Sequence, residues 1–242
     1  MTIRKTDLSW TEKHRYVVAP GGLPQPSVTT ILQTQNKPAL LKKAVSLTRE
    51  GVDHQAEWDA KADIGTRVHR AAETLANGVF GWDMGCLPCD VPYLDALEDF
   101  YTTNAVQPIL IEPTLVYPHP MLGFGGRCDL IARLCTNYGR WETWLIDYKT
   151  GKHYMVDPVM QLAAYANCDM AIYYEDGSLQ GSVNLPTIQK RGIVYLNENR
   201  TYNLIEVPQD KYIFNTFLNL RSVYAGVKAI EKWERTYNRE HA

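Results

Sequence analysis

The sequence predicts an α/β protein in which a central mixed β-sheet is flanked by helices and preceded by a mainly helical N-terminal part. Three observations carry this. From Pro38 to Ala76 apolar residues recur at helical spacing. From Pro108 to Val207 short apolar, β-branched and aromatic runs are punctuated by Gly, Pro and Asn turns, with one helical stretch opening near Asp157. From Gln209 to Glu240 helical periodicity returns. The expected organisation is a single domain over 1–242: a mainly helical part over 1–105, a sheet core over 106–207 and a C-terminal helix over 208–242.

In chain order, Leu8–Val18 reads as a short strand, stopped by the Gly/Pro turn GGLPQP. PSVTTIL opens a helix with Ser27 as its N-cap. ALLKKAVSLTREG is an amphipathic helix ending at Gly51, and HQAEWDAKADIGTRVHRAAETLANG is a second, interrupted at Gly65 and ending near Gly78. VFGWDMGCLPCDVP reads as a surface loop, and such loops beside a site often grip substrate. VPYLDALEDFYTTNAV then sets Tyr93, Leu97 and Phe100 on one helical face, a core pattern. PILIEPTLVYPHPMLGFGG has strand character, with Glu112 within it. GRCDLIARL and WETWLIDYK, joined by the turn-like TNYGR, form a hairpin. After the turn Thr150-Gly151-Lys152, DPVMQLAAYANCDMAIYY begins a helix with Asp157 as N-cap and Pro158 at its first position. RGIVYLNENRTYNLIEV is a second hairpin.

Hydrophobic content of 45% and charged content of 21% are ordinary for a globular chain, and no apolar run reaches bilayer length. With no apolar leader in MTIRKTDLSWTEKHRY, a cytoplasmic protein with no membrane partner is expected. A net charge of -2 means that any nucleic-acid surface must be a local stripe. The five cysteines, an odd number, do not form a disulfide framework, and CLPC at Cys86 and Cys89 lacks a second pair at metal-site spacing.

The hairpin carries the chemistry. Asp129 and Asp147 fall on neighbouring strands, and Asp147 and Lys149, two apart, share a face from which Tyr148 points away. Two carboxylates beside an ammonium suit a hard divalent cation that activates water, with the lysine orienting that water or neutralising charge on a phosphate. Alone, an Asp-X-Lys on a strand is more often a solvated edge.

GGRCDLIA, LIDYKTGK and QLAAY, in this order and with GTRVH upstream, resemble the PD-(D/E)XK nucleases of the RecB type. The resemblance implies a restriction-endonuclease-like core and a metal-dependent nuclease with Asp129, Asp147 and Lys149 as catalytic residues. It implies a metal held by His69, Asp129, Asp147 and the main-chain carbonyl of Tyr148. Gln161 and Tyr165, four apart on one helical face, would touch the DNA backbone, and Lys152 would lean on a phosphate. Glu73, one turn after His69, and Glu112 are further candidate carboxylates. The implied cofactor is Mg²⁺ or Mn²⁺, one or two ions. The iron–sulfur cluster of some RecB-type nucleases is not expected, because no cysteine follows Cys168. The implied partner is DNA, single-stranded or with a free end, as for stand-alone phage exonucleases and the mitochondrial genome maintenance exonuclease. A structure-selective endonuclease and an inactive DNA-binding homologue are the alternatives.

Overall fold

The computed structural model describes residues 15–16, 25–35, 38–79, 85–135, 139–151, 155–175 and 178–241. Strands β1 (Arg15–Tyr16) and β2 (Gln25–Pro26) pair antiparallel, and the rest of the strand expected over Leu8–Val18 lies outside the described residues. Helix α1 (Val28–Leu32) starts where expected: Ser27 is extended and its hydroxyl accepts the Thr30 N–H at 3.0 Å. Helix α2 (Pro38–Arg49) ends before Gly51, whose φ of +74° favours glycine. Helix α3 (His54–Ala76), capped by Asp53, runs through Gly65 without the expected interruption. One interior glycine costs only about 1 kcal/mol, and buried Val68, Ala71, Ala72 and Leu75 offset it. A 3₁₀ turn at Pro88–Asp90 leads into α4 (Val91–Thr103), so the loop expected up to Pro92 ends earlier.

Strands β3 (Gln107–Ile111), β4 (Thr114–Tyr117), β5 (Phe124–Arg127), β6 (Leu130–Cys135) and β7 (Trp141–Lys149) follow. Then come helix α5 (Val156–Ala166), strands β8 (Met170–Glu175), β9 (Ser178–Asn184), β10 (Lys190–Leu196) and β11 (Tyr202–Glu206), and helix α6 (Lys211–Glu240). The fold is α/β. A five-stranded mixed sheet in the order β11-β10-β7-β6-β3, with β10 parallel to β7, is flanked by helices, and β5-β4-β8-β9 form a second sheet. The expected hairpin is β6–β7, registered from Cys135 opposite Trp141 to Leu130 opposite Ile146. Of its turn, residues 136–138 lie outside the described residues.

Several expectations change. Asp129 does not lie on a strand: it sits in the bend between β5 and β6, which belong to different sheets. Glu112 occupies the bend between β3 and β4, with a left-handed φ of 49°. Asp157 is inside the first turn of α5 and Met155 takes the cap position; the Asp157 carboxylate accepts a hydrogen bond from Gln35 Nε2 at 3.1 Å. The helix after it stops at Ala166, and Met170–Glu175 is a strand because its apolar run pairs with both β4 and β9.

Two apolar cores separate on the faces of the main sheet. Trp144, Ile146 and Tyr148 pack with Val68 and Ala72 of α3 and Leu97 and Phe100 of α4. Leu145, Ile193 and Tyr195 pack with α1, α5 and Phe217 of α6 on the other face. Alternation along β7 therefore turns Asp147 and Lys149 away from Tyr148, as the two-residue period requires. No helix among the described residues is long and apolar enough to cross a membrane.

Candidate metal centre

Helix α3 brings His69 to the end of the β6–β7 hairpin, where its Nδ1 lies 3.3 Å from Asp129 Oδ1. The other carboxylate oxygen of Asp129 accepts the Tyr148 backbone N–H at 2.7 Å. Glu112 reaches the same place because its N–H donates to the Asp129 carbonyl at 3.0 Å, while Cys128 N–H donates to the Pro113 carbonyl at 3.2 Å. Those two bonds fasten the bends together. A left-handed backbone at a non-glycine residue costs on the order of 1 kcal/mol and persists only when its surroundings impose it.

One ligand atom from each of His69, Glu112 and Asp129 falls within 4.8 Å of the others, a spacing that could hold a metal ion. Glu112 thus joins the set, although sequence reasoning gave it a secondary place. Asp147 stands outside that set: its Oδ2 is 2.5 Å from Lys149 Nζ, on the face of β7 expected for the pair. Lys149 is thus the charged partner of this buried oxygen.

A cavity of about 590 Å³ is lined by His69, Glu73, Glu112, Asp129, Tyr148 and Lys149. Lys61, Arg70 and Arg127 line it too. Sequence reasoning missed these three. Arg127 is two residues before Asp129, and Lys61 precedes His69 by two helical turns, so spacing could have found both. Arg127 Nη1 lies 3.8 Å from Glu112 Oε2. Tyr101, whose hydroxyl bonds that of Tyr148 at 3.2 Å, had no signal beyond core periodicity.

Gln161 and Tyr165 share one helical face, as their four-residue spacing suggested, and Gln161 Nε2 donates to the Tyr165 hydroxyl at 3.3 Å. Neither residue lines the cavity. Tyr165 is buried, with its ring laid over Gly126 of β5, where an added Cβ would sit 2.5 Å from the ring. Lys152 lies outside the described residues.

The electrostatics are those of crowded acids. Burial pushes the Glu112 carboxyl up to about 7, helped by the Asp129 charge and opposed by Arg127 and His69. Burial raises Asp147 as well, with Asp129 adding to it against Lys149. For Asp129 burial acts upward, but His69, Lys149 and the Tyr148 N–H together hold it below the ordinary carboxylate value. Burial alone would depress His69, yet the charge and hydrogen bond of Asp129 outweigh it and raise the imidazole to about 9. Lys149 is likewise depressed by burial and raised overall by Asp147 and Asp129.

No protein-family model and no curated protein matches the chain. Among solved structures, one titled "Crystal structure of SSO0001" is similar at 16% identity and a TM-score of 0.30. The match covers 55% of this chain and 56% of that one, so the chain spans little more than half the length of that neighbour.

Proposed function

We propose that this chain is a divalent-metal-dependent deoxyribonuclease with a restriction-endonuclease-like core, acting from the ends of single-stranded DNA. The observation that carries the reading is the convergence of His69, Glu112 and Asp129 on one point of a cavity that Lys149 also lines. Two carboxylates and an imidazole suit Mg²⁺ or Mn²⁺, and the buried Asp147 carboxylate, paired with Lys149, is a further hard oxygen donor in the same polar cluster. His69, Glu112 and Asp129 would hold the ion. Bound there, it would lower the pKa of a coordinated water and offset charge on a phosphate oxygen.

The chain's own residues supply the rest. The Tyr148 N–H fixes the Asp129 carboxylate. Asp147 steadies the Lys149 ammonium, which remains charged and can donate to an attacking water or a phosphate oxygen. Lys61, Arg70 and Arg127 give the cavity wall the local positive charge that the chain's net charge of -2 does not provide. Preference for single-stranded ends follows from the RecB-type resemblance.

The test is digestion of end-labelled linear and circular DNA, single- and double-stranded, with Mg²⁺, Mn²⁺ or chelator. Metal-dependent loss of linear single strands, with circles spared, is expected. Cleavage of closed circles would replace the exonuclease with an endonuclease, and no metal-dependent cleavage of any substrate would overturn the proposal.

A further inference from the structure

A second cavity, of about 630 Å³, shares no residue with the metal cavity. It opens where the C-terminal end of α5, the segment before β10 and the start of α6 meet. Arg191 lines it from the start of β10. In the parallel register Arg191 lies opposite Leu145, and Tyr195 opposite Lys149. The cavity is therefore separated from Lys149 by four residues of strand, roughly 13 Å.

Arg191 is only 5% exposed, yet among the described residues its guanidinium forms no ion pair. Among the described residues one of its five N–H donors has a protein acceptor, Nη2 donating to the Pro208 carbonyl at 2.7 Å. None of its nitrogens is both sealed from solvent and unbonded, and the residue lines the cavity. Burial pulls its pKa down, and no neighbouring acid counters this.

The surroundings favour an anion with an apolar body. Lys211 stands at the rim as the first residue of the 30-residue helix α6, whose positive end faces the cavity. The Asp210 carboxylate, also lining the cavity, is engaged in capping the Tyr212 N–H at 2.8 Å, and Asp169 is exposed. Phe214 and Ile188 supply apolar wall, and Asn167 and Asn215 supply amides.

We propose that this cavity binds a phosphate monoester of nucleotide size, with the phosphate on Arg191 and Lys211 and the body against Phe214 and Ile188. The volume falls in the range of small-ligand sites, which combine apolar walls with a few directed polar groups. The inference does not depend on the nuclease reading, because no metal-cavity residue takes part.

The test is calorimetric titration of the full metal-free chain with dAMP, deoxyadenosine and inorganic phosphate as separate probes. We expect dAMP to bind one to one, inorganic phosphate to compete with it, and deoxyadenosine to bind at least about tenfold more weakly, as the loss of a charge-assisted contact implies. Arg191→Met should abolish dAMP binding. That variant also frees the Pro208 carbonyl and could fail to fold, so Lys211→Glu, at an exposed rim position, provides the second reading: a several-fold weakening with an unchanged melting temperature. Asp129→Asn should leave the dAMP affinity intact. The proposal is overturned if dAMP does not bind, if deoxyadenosine binds equally well, if Lys211→Glu has no effect, or if Asp129→Asn removes the binding.

Discussion

Tyr148 donates its backbone N–H to Asp129 Oδ2 at 2.7 Å, and this bond takes the place of the next rung of the β6–β7 ladder. The last registered pair is Leu130 opposite Ile146, so continuing the pairing would give the Tyr148 N–H a backbone carbonyl. A side chain accepts instead, because the chain bends at Asp129 to leave for the other sheet. The orientation of the carboxylate is thereby tied to the strand that carries Asp147 and Lys149.

Asp129→Asn separates charge from geometry. The amide oxygen can still accept from Tyr148, so the fold should survive with a melting temperature near wild type, while Mn²⁺ affinity measured by calorimetry should fall by on the order of 10- to 100-fold or more. The same variant removes what raises His69, whose NMR titration midpoint should drop from about 9. A midpoint unchanged by the substitution would show that Asp129 does not set the His69 charge.

Glu112→Gln tests a residue that the bends, rather than the sequence pattern, bring into the cluster. Its Mn²⁺ affinity should fall as far as that of Asp129→Asn, roughly tenfold or more. Gln161→Ala, altering a residue outside the cavity, should change it by less than about threefold. Equal affinities for Glu112→Gln and wild type would remove Glu112 from the ligand set.

Lys149→Met keeps bulk and removes the ammonium that accompanies Asp147. Turnover on single-stranded DNA should drop by about 10²-fold or more, the scale of a lost donor to a developing charge, with Mn²⁺ affinity changed far less. Turnover within a few-fold of wild type would deny Lys149 its role.

The pH dependence follows from His69 and Glu112. His69, raised to about 9 from an ordinary 6.5, contributes stability that is fully present below 6.5 and is lost as pH rises through 9. Glu112, raised to about 7 from 4.5, is harder to ionise folded than unfolded, so its contribution declines as pH rises from 4.5 to 7. In chelator, the melting temperature of wild type relative to a His69→Asn, Glu112→Gln double variant should therefore fall from pH 5 to pH 9. Both ligands must shed protons to bind a cation, so stabilisation by Mn²⁺ should grow over the same interval. A metal effect independent of pH would contradict this ligand set.

How much of this was legible differed by element. The β6–β7 hairpin, the Asp147–Lys149 face, α3 and the Ser27 cap were readable because local periodicity and capping chemistry determine them. Glu112 joining Asp129 was not, since it depends on two bends whose union is a tertiary event marked only by the left-handed φ of Glu112. The β8 strand was misread as helix because a short apolar run has no decisive period, and its pairing with β4 and β9 comes from distant sequence. The Arg191 cavity was illegible for the same reason: nothing local says that an arginine opening a strand will be buried without an acid.

Gly126 explains why Tyr165 can pack where it does, and it offers a test away from the metal. An alanine Cβ there would stand 2.5 Å from Tyr165 Cε1 and 2.6 Å from its hydroxyl oxygen, both impossible separations. Tyr165 is 2% exposed and cannot swing into solvent, so either the ring leaves its rotamer or β5 shifts. Overpacking of this kind costs about 1–3 kcal/mol, and Gly126→Ala should lower the melting temperature by several degrees. Because β5 runs directly into Arg127 and Asp129, Mn²⁺ affinity should fall with it, although neither altered atom touches the cavity. Adding Tyr165→Phe removes the clash at the hydroxyl but leaves the one at Cε1, so the double variant should recover part of the loss in both measurements. If Gly126→Ala melts with wild type, the close approach of ring and strand is wrong; if it melts lower yet binds Mn²⁺ normally, the strand does not transmit the displacement to Asp129.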